Sequence, residues 1–214
     1  RIAEQHLEAE GAQLLCETTM GAADRQLARA CLDPSRAEVE SRLRQYAQDH
    51  RVSGAALVFT GSGASPVLFG EDLALEAAIA SAPWVQTAAQ GQAAWGVIPY
   101  KSELALVAAA PVMVSGSAAP GHVLAVCQRI GPEELWGYLG RDSCRASVQS
   151  LSAQELQRYV KPGRSFVPSG FAQTDLGVQV LRNGVQAQSV FYGPTGQAPA
   201  ALVSVSMDRS ALPG

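Results

Sequence analysis

The spacing of apolar residues changes once along the chain, near residue 50, and that change limits the fold more than any other feature. Before it, apolar positions recur at three- and four-residue steps: Ala3, Leu7, Gly11 and Leu14, then Met20, Ala23, Leu27 and Cys31. This predicts a helix over residues 2 to about 32, which Gly11 and Gly21 weaken without ending. A second helix opens in "DPSRAEVESRLRQYAQDH", with Asp33 or Ser35 as cap, Pro34 in the first turn and Glu38 as capping-box partner of Ser35. Val39, Leu43, Tyr46 and Ala47 form its buried stripe.

After residue 50 the period falls to two. "VSGAALVFTGSGASPVLFG" predicts a β-hairpin, with strands over 55–59 and 67–69 around a Gly/Ser turn. Residues 72–94 read as helical or looped, Pro83 opening a helix and Gly91 closing one. Strand character resumes in "AWGVIPYKSELALVAAAPV", with Pro99 at an edge or bend and 104–112 as a central strand. "GHVLAVCQRI" follows as its neighbour. A short helix in "GPEELWGYLGR", a strand in "CRASVQSL" and a helix in "SAQELQRYV" lead to a three-stranded antiparallel meander, whose clearest turn is Asn183-Gly184. The class is α+β.

A chain of 214 residues buries enough core to fold without metal or crosslinks. Its net charge of -3 and singly scattered arginines offer no stripe for a phosphate backbone, so nucleic acid is excluded as a partner. The run over 104–114 is broken by Pro111 and is too short for the roughly 18 to 20 residues that span a bilayer. Four cysteines, Cys16, Cys31, Cys127 and Cys144, carry no metal or redox spacing; burial as small hydrophobes is the plainer reading, and Cys127 with Cys144 is the pair to test.

Catalytic chemistry is sparse. There is no G-x-S-x-G, P-loop, H-E-x-x-H or calcium loop, and "GSGASPVLFG" leads into a strand where a dinucleotide site needs a helix. His6, His50 and His122 read as structural or surface groups, and only Lys101 and Lys161 supply amines. No cofactor, metal or enzymatic activity is expected. What remains suits binding: Trp84, Trp95, Tyr100, Lys101 and Arg129 lie on or beside the segment entering the central strands. Aromatics with one or two cations around a sheet fit a small anionic or polar ligand. Core filling is the alternative reading for each aromatic.

The order of these elements, with Ala110-Pro111-Val112 followed by a turn and a Gly121-led strand, resembles the extracytoplasmic sensor domains of bacterial membrane receptors. These form the Cache and CHASE-type superfamily. The tail "YGPTGQAPAALVSVSMDR" is similar to that family's last hairpin. The resemblance implies one sensor domain over 1–214: a helical stalk and dimerisation region over 1–50, a PAS-like antiparallel sheet over 51–130, and a helix with C-terminal antiparallel strands over 131–214. It implies a periplasmic or extracellular position and membrane anchors on both sides, with Arg209 near the second. A small-molecule ligand and a homodimer through the N-terminal helix are expected as well. The cytoplasmic output, a histidine kinase, a diguanylate cyclase or a chemoreceptor, would lie outside this chain. The family's amino-acid-binding signature is not evident here, and a ligand-free interaction or spacer module is the alternative.

Overall fold

A computed structural model of the protein describes residues 2–32, 36–60, 65–70, 72–113, 121–131, 133–134, 144–159, 172–192 and 200–208. The first expected helix is two helices, α1 (Ile2–Ala22) and α2 (Arg25–Leu32). Leu7, Gly11, Leu14, Thr18 and Ala22 keep a helical step, but the next buried residue is Leu27, five positions on. Asp24 ends the first helix and caps the second: its Oδ1 accepts from the backbone N–H of Gln26 at 2.5 Å and of Leu27 at 3.2 Å. Met20 and Ala23, expected in the stripe, are exposed as a result.

The next helix, α3 (Arg36–His50), buries Val39, Leu43 and Ala47 as its spacing predicts. Its expected caps at 33–35 lie outside the described residues. The hairpin forms from β1 (Gly54–Phe59) and β2 (Val67–Gly70), in a register that pairs Gly54 with Gly70. Asp72 caps α4 (Leu73–Ala80), and Pro83 starts α5 (Pro83–Ala89). Gly91 follows at φ 94, where glycine is tolerated at little cost.

Three strands complete the first sheet: β3 (Ala94–Tyr100), β4 (Glu103–Val112) and β5 (His122–Ile130). The order is β2-β1-β5-β4-β3, a PAS-like antiparallel arrangement. Pro99 therefore lies on the edge strand β3, where a missing N–H costs no central ladder bond. β4 is buried continuously from Leu104 to Ala110, and β5 from Val123 to Cys127. Unbroken apolar runs of this kind belong to strands covered on both faces. The expected turn between them, 114–120, lies outside the described residues.

The second sheet has one strand more than the expected meander. β6 (Cys144–Leu151) precedes the short α6 (Ala153–Leu156), which Ser152 and Glu155 close with a reciprocal capping box. β7 (Ala172–Leu181), β8 (Gly184–Tyr192) and β9 (Ala200–Asp208) form the meander, and β6 pairs along its whole length with Ala200–Met207 of β9, giving the order β6-β9-β8-β7. The first hairpin turns through Arg182 and Asn183, with Leu181 opposite Gly184. Leu151, Leu156, Val190 and Ala200 make this sheet's core. The expected helix over 131–141 and the turn at 194–196 fall mostly or wholly outside the described residues.

By internal contacts the chain divides into two compact units. One holds Glu10–Gly96 and Leu106–Gln128; the other holds Arg1–Ala9, Val97–Ala105 and Arg129–Gly214. Among the described residues no helix is long and apolar enough to cross a membrane.

Candidate functional site

In the unit that holds Val97–Ala105 and Arg129–Gly214, three of the five residues chosen from sequence come together around a fourth. Tyr100 ends β3, Lys101 and Ser102 make the turn, and Glu103 begins β4. Lys101 takes the left-handed conformation, φ 54, which a residue with a Cβ adopts only where the turn demands it. Its Nζ lies 4.9 Å from the Tyr100 ring centroid, within cation–π range.

Arg129 reaches the same corner from β5. Its Nε donates to Glu103 Oε2 at 2.5 Å and its Nη2 to Oε1 at 2.9 Å, a two-bond fork. That hydrogen bonding, aided by the charges of Arg129 and Lys101, holds the Glu103 carboxyl below its usual range against the opposing effect of burial. Two cations thus share the Glu103 carboxylate. Glu103 was not among the residues chosen from sequence.

The other two chosen residues belong to the unit that holds Glu10–Gly96, where both pack as core. Trp84, in the first turn of α5, is 3% exposed, and its indole Nε1 is buried without a hydrogen-bond partner. Trp95, on β3, is 6% exposed and lies so close to α1 that a Cβ on Gly11 would fall 2.1 Å from its ring.

Three further groups in this unit bear on chemistry. Glu76, on α4, is 1% exposed, and neither carboxylate oxygen has a partner. Burial, and then the like charge of Asp72, push its carboxyl above the usual range against the opposing effect of the Asp72 backbone N–H. The sequence carries a signal for it, a single acid inside the apolar "LALEAAIA". His122 donates through Nε2 to the carbonyl of Cys31 at 3.2 Å and stacks edge-on with Phe59, which is the structural role expected of it. Burial pushes the Cys31 thiol up to about 11, which removes it as a nucleophile near neutral pH.

A cleft of about 280 Å³ opens among α1, α2 and α3, lined by Met20, Asp24, Arg42, Tyr46, Asp49 and His50. Gly21 admits the Tyr46 ring there, and burial followed by the charge of Glu17 pushes the phenol up to about 12. Among the described residues no group of three or more His, Cys, Asp or Glu could hold a metal ion. The side chain of Cys144 lies outside the described residues, so the Cys127–Cys144 pairing has no counterpart to report.

No protein-family model matches the chain, and no curated protein matches it by sequence. Its fold does have counterparts. The chain is similar to the sensor domain of the V. cholerae histidine kinase DctB, with 13% identity over 97% of this chain and 95% of that one, at a TM-score of 0.51. The chain has the fold of a bacterial receptor sensor domain. Also similar are a methyl-accepting chemotaxis protein X, at 13% identity, 96% and 93% coverage and a TM-score of 0.48. The ligand-binding domain of the Pseudomonas aeruginosa PAO1 amino acid chemoreceptor PctB, in complex with L-Arg, follows at 16% identity, 97% and 92% coverage and 0.46.

Proposed function

We propose that this chain is the ligand-binding extracytoplasmic domain of a transmembrane signal-transduction receptor, which passes a conformational change to a cytoplasmic output module. The observation that carries the reading is the likeness of fold to the DctB sensor domain along nearly the full length of both chains. A periplasmic position and membrane anchors on either side belong to the same reading. Two sets of contact residues are proposed, one in each unit. Tyr100, Lys101 and Arg129 would meet an anionic or polar group, because they lie at one corner and Lys101 is exposed there. Trp84 and Trp95 would supply apolar contact, and the unpartnered Trp84 Nε1 one hydrogen-bond donor.

A homodimer through α1 would have to use side chains outside its main stripe, since Leu7, Gly11 and Leu14 are already buried within the chain. A thermal-shift screen against organic acids, amino acids and purines tests the ligand. A compound at about 100 times its dissociation constant should stabilise the fold by about 2.7 kcal/mol. Lys101→Ala should weaken an anionic hit while leaving the unliganded melting temperature unchanged. Silence across the panel would favour the second reading, a periplasmic interaction module without a small ligand. The burial of Trp84 and Trp95 as ordinary core speaks for that module.

A further inference from the structure

We propose that Glu76 makes the docking of α4 on the β1–β2 hairpin depend on protonation, so that this domain responds to the pH around it as well as to any ligand. That the pH is external rests on the extracytoplasmic reading; the proton dependence does not.

The geometry comes first. Glu76 is 1% exposed, and both its carboxylate oxygens lack a partner. It fills a notch made by two glycines that pair across the hairpin, Gly54 and Gly70. A Cβ on Gly70 would meet Glu76 Oε1 at 2.4 Å, and one on Gly54 would touch Glu76 Cγ at 3.8 Å. The lack of a side chain at Gly70 thus leaves the space that the Glu76 carboxyl occupies.

No opposite charge meets it there. From α4 itself the nearby titratable group is Asp72, one turn earlier, a like charge whose Oδ1 accepts from the N–H of Ala74 at 3.1 Å and of Leu75 at 3.4 Å. The sequences of β1 and β2, GAALVF and VLFG, contain no titratable side chain. From α3, which packs on both strands, Arg44 lies 5.6 Å from the Phe69 ring centroid. Phe69 alternates with Gly70 along β2, so the guanidinium occupies the opposite face of the sheet. Among the described residues no cation pairs with a carboxylate in the notch, and only the Asp72 backbone N–H acts in the anion's favour, more weakly than burial and the Asp72 charge act against it.

The docked arrangement therefore favours the neutral acid over the anion. An anionic Glu76 needs water, which it reaches only if α4 lifts from the hairpin. A two-state element biased in this way follows proton linkage. Below the ordinary carboxyl value of about 4.3 both states hold the proton and pH has no effect. Above it the undocked state releases its proton first, and the undocked-to-docked ratio rises by up to about tenfold per pH unit. The rise levels off once the docked carboxyl also ionises. Rising pH thus favours release of α4, and falling pH favours docking.

Hydrogen exchange of the 73–80 backbone, followed against pH in the full chain and in Glu76→Gln, tests the proposal. After division by the intrinsic chemical rate, the wild-type opening population should climb with pH by up to about tenfold per unit. That of the Gln variant should stay flat, because its amide cannot ionise. Parallel profiles in the two proteins would overturn the proposal. If Glu76→Gln does not fold, carbon-13 NMR of the wild-type Glu76 carboxyl decides alone: titration above the range of the other glutamates supports the idea, and titration together with them defeats it. Neither readout involves the ligand screen, so failure here and failure of the sensor reading are separate results.

Discussion

Gly11 and Trp95 explain each other. Alanine in the middle of a helix is ordinarily better than glycine by roughly 0.5–1 kcal/mol, so a glycine inside α1 needs a reason. The reason is the indole, since a Cβ on Gly11 would fall 2.1–2.5 Å from three of its ring carbons. Overpacking of that kind typically costs about 1–3 kcal/mol, which exceeds the propensity gain. Gly11→Ala is expected to destabilise the protein by about 1–2 kcal/mol in urea unfolding, and to lose that cost when introduced into a Trp95→Leu background. A stabilised single variant would show that the ring moves aside freely. The same residue scale shows where the sequence stopped being legible. Tyr100, Lys101 and Arg129 could be chosen because aromatics and cations near a sheet are a visible pattern. Glu103 could not, because its bond to Arg129 joins residues 26 apart and depends on strand register.

At the scale of elements, local chemistry was readable wherever one residue sets the boundary. Pro83 starts α5, the left-handed Gly91 lies just past its end, and Pro99 falls on an edge strand, each as the sequence indicates. The break between α1 and α2 falls at neither Gly11 nor Gly21, the weak points of the helical pattern, but at Asp24, which caps α2. Asp24→Ala removes the acceptor for two N–H groups of α2 and is expected to cost about 1 kcal/mol. Asp24→Asn should recover most of that, since asparagine caps nearly as well; equal stability of all three proteins would show that the break does not depend on the side chain. The strand in "CRASVQSL" forms as expected, but its place in the second sheet is not legible in the sequence. β6 reads as a strand in isolation, but its partners on β9 lie 49 to 63 residues later, from the pairing of Leu151 with Ala200 to that of Cys144 with Met207. Nothing local in either strand specifies that choice.

Across the whole molecule, the two sheets differ in how much apolar surface protects their backbone, and this difference was partly written in the sequence. "LALVAAAPV" is continuous, as a strand covered on both faces must be, and β4 is 0% exposed at every residue from Leu104 to Ala110. The strands of the second sheet carry polar residues at intervals, and on its edge strand β7 Val178 and Val180 are 70% and 85% exposed. A backbone amide exchanges through the cheapest opening that frees it, and opening is cheapest where few apolar contacts break. Amides of β4 and β5 should therefore exchange only through global unfolding, at rates that report the full stability of the protein. Those of β7 beyond Gly177 should exchange through local fraying, faster by orders of magnitude, even though all four strands of that sheet are hydrogen-bonded. Peptide-resolved hydrogen exchange under native conditions measures both. Equal protection of β7 and β4 would mean that the two sheets unfold as one cooperative body. In that case the small core of Leu151, Leu156, Val190 and Ala200 would not be setting the stability of its own sheet.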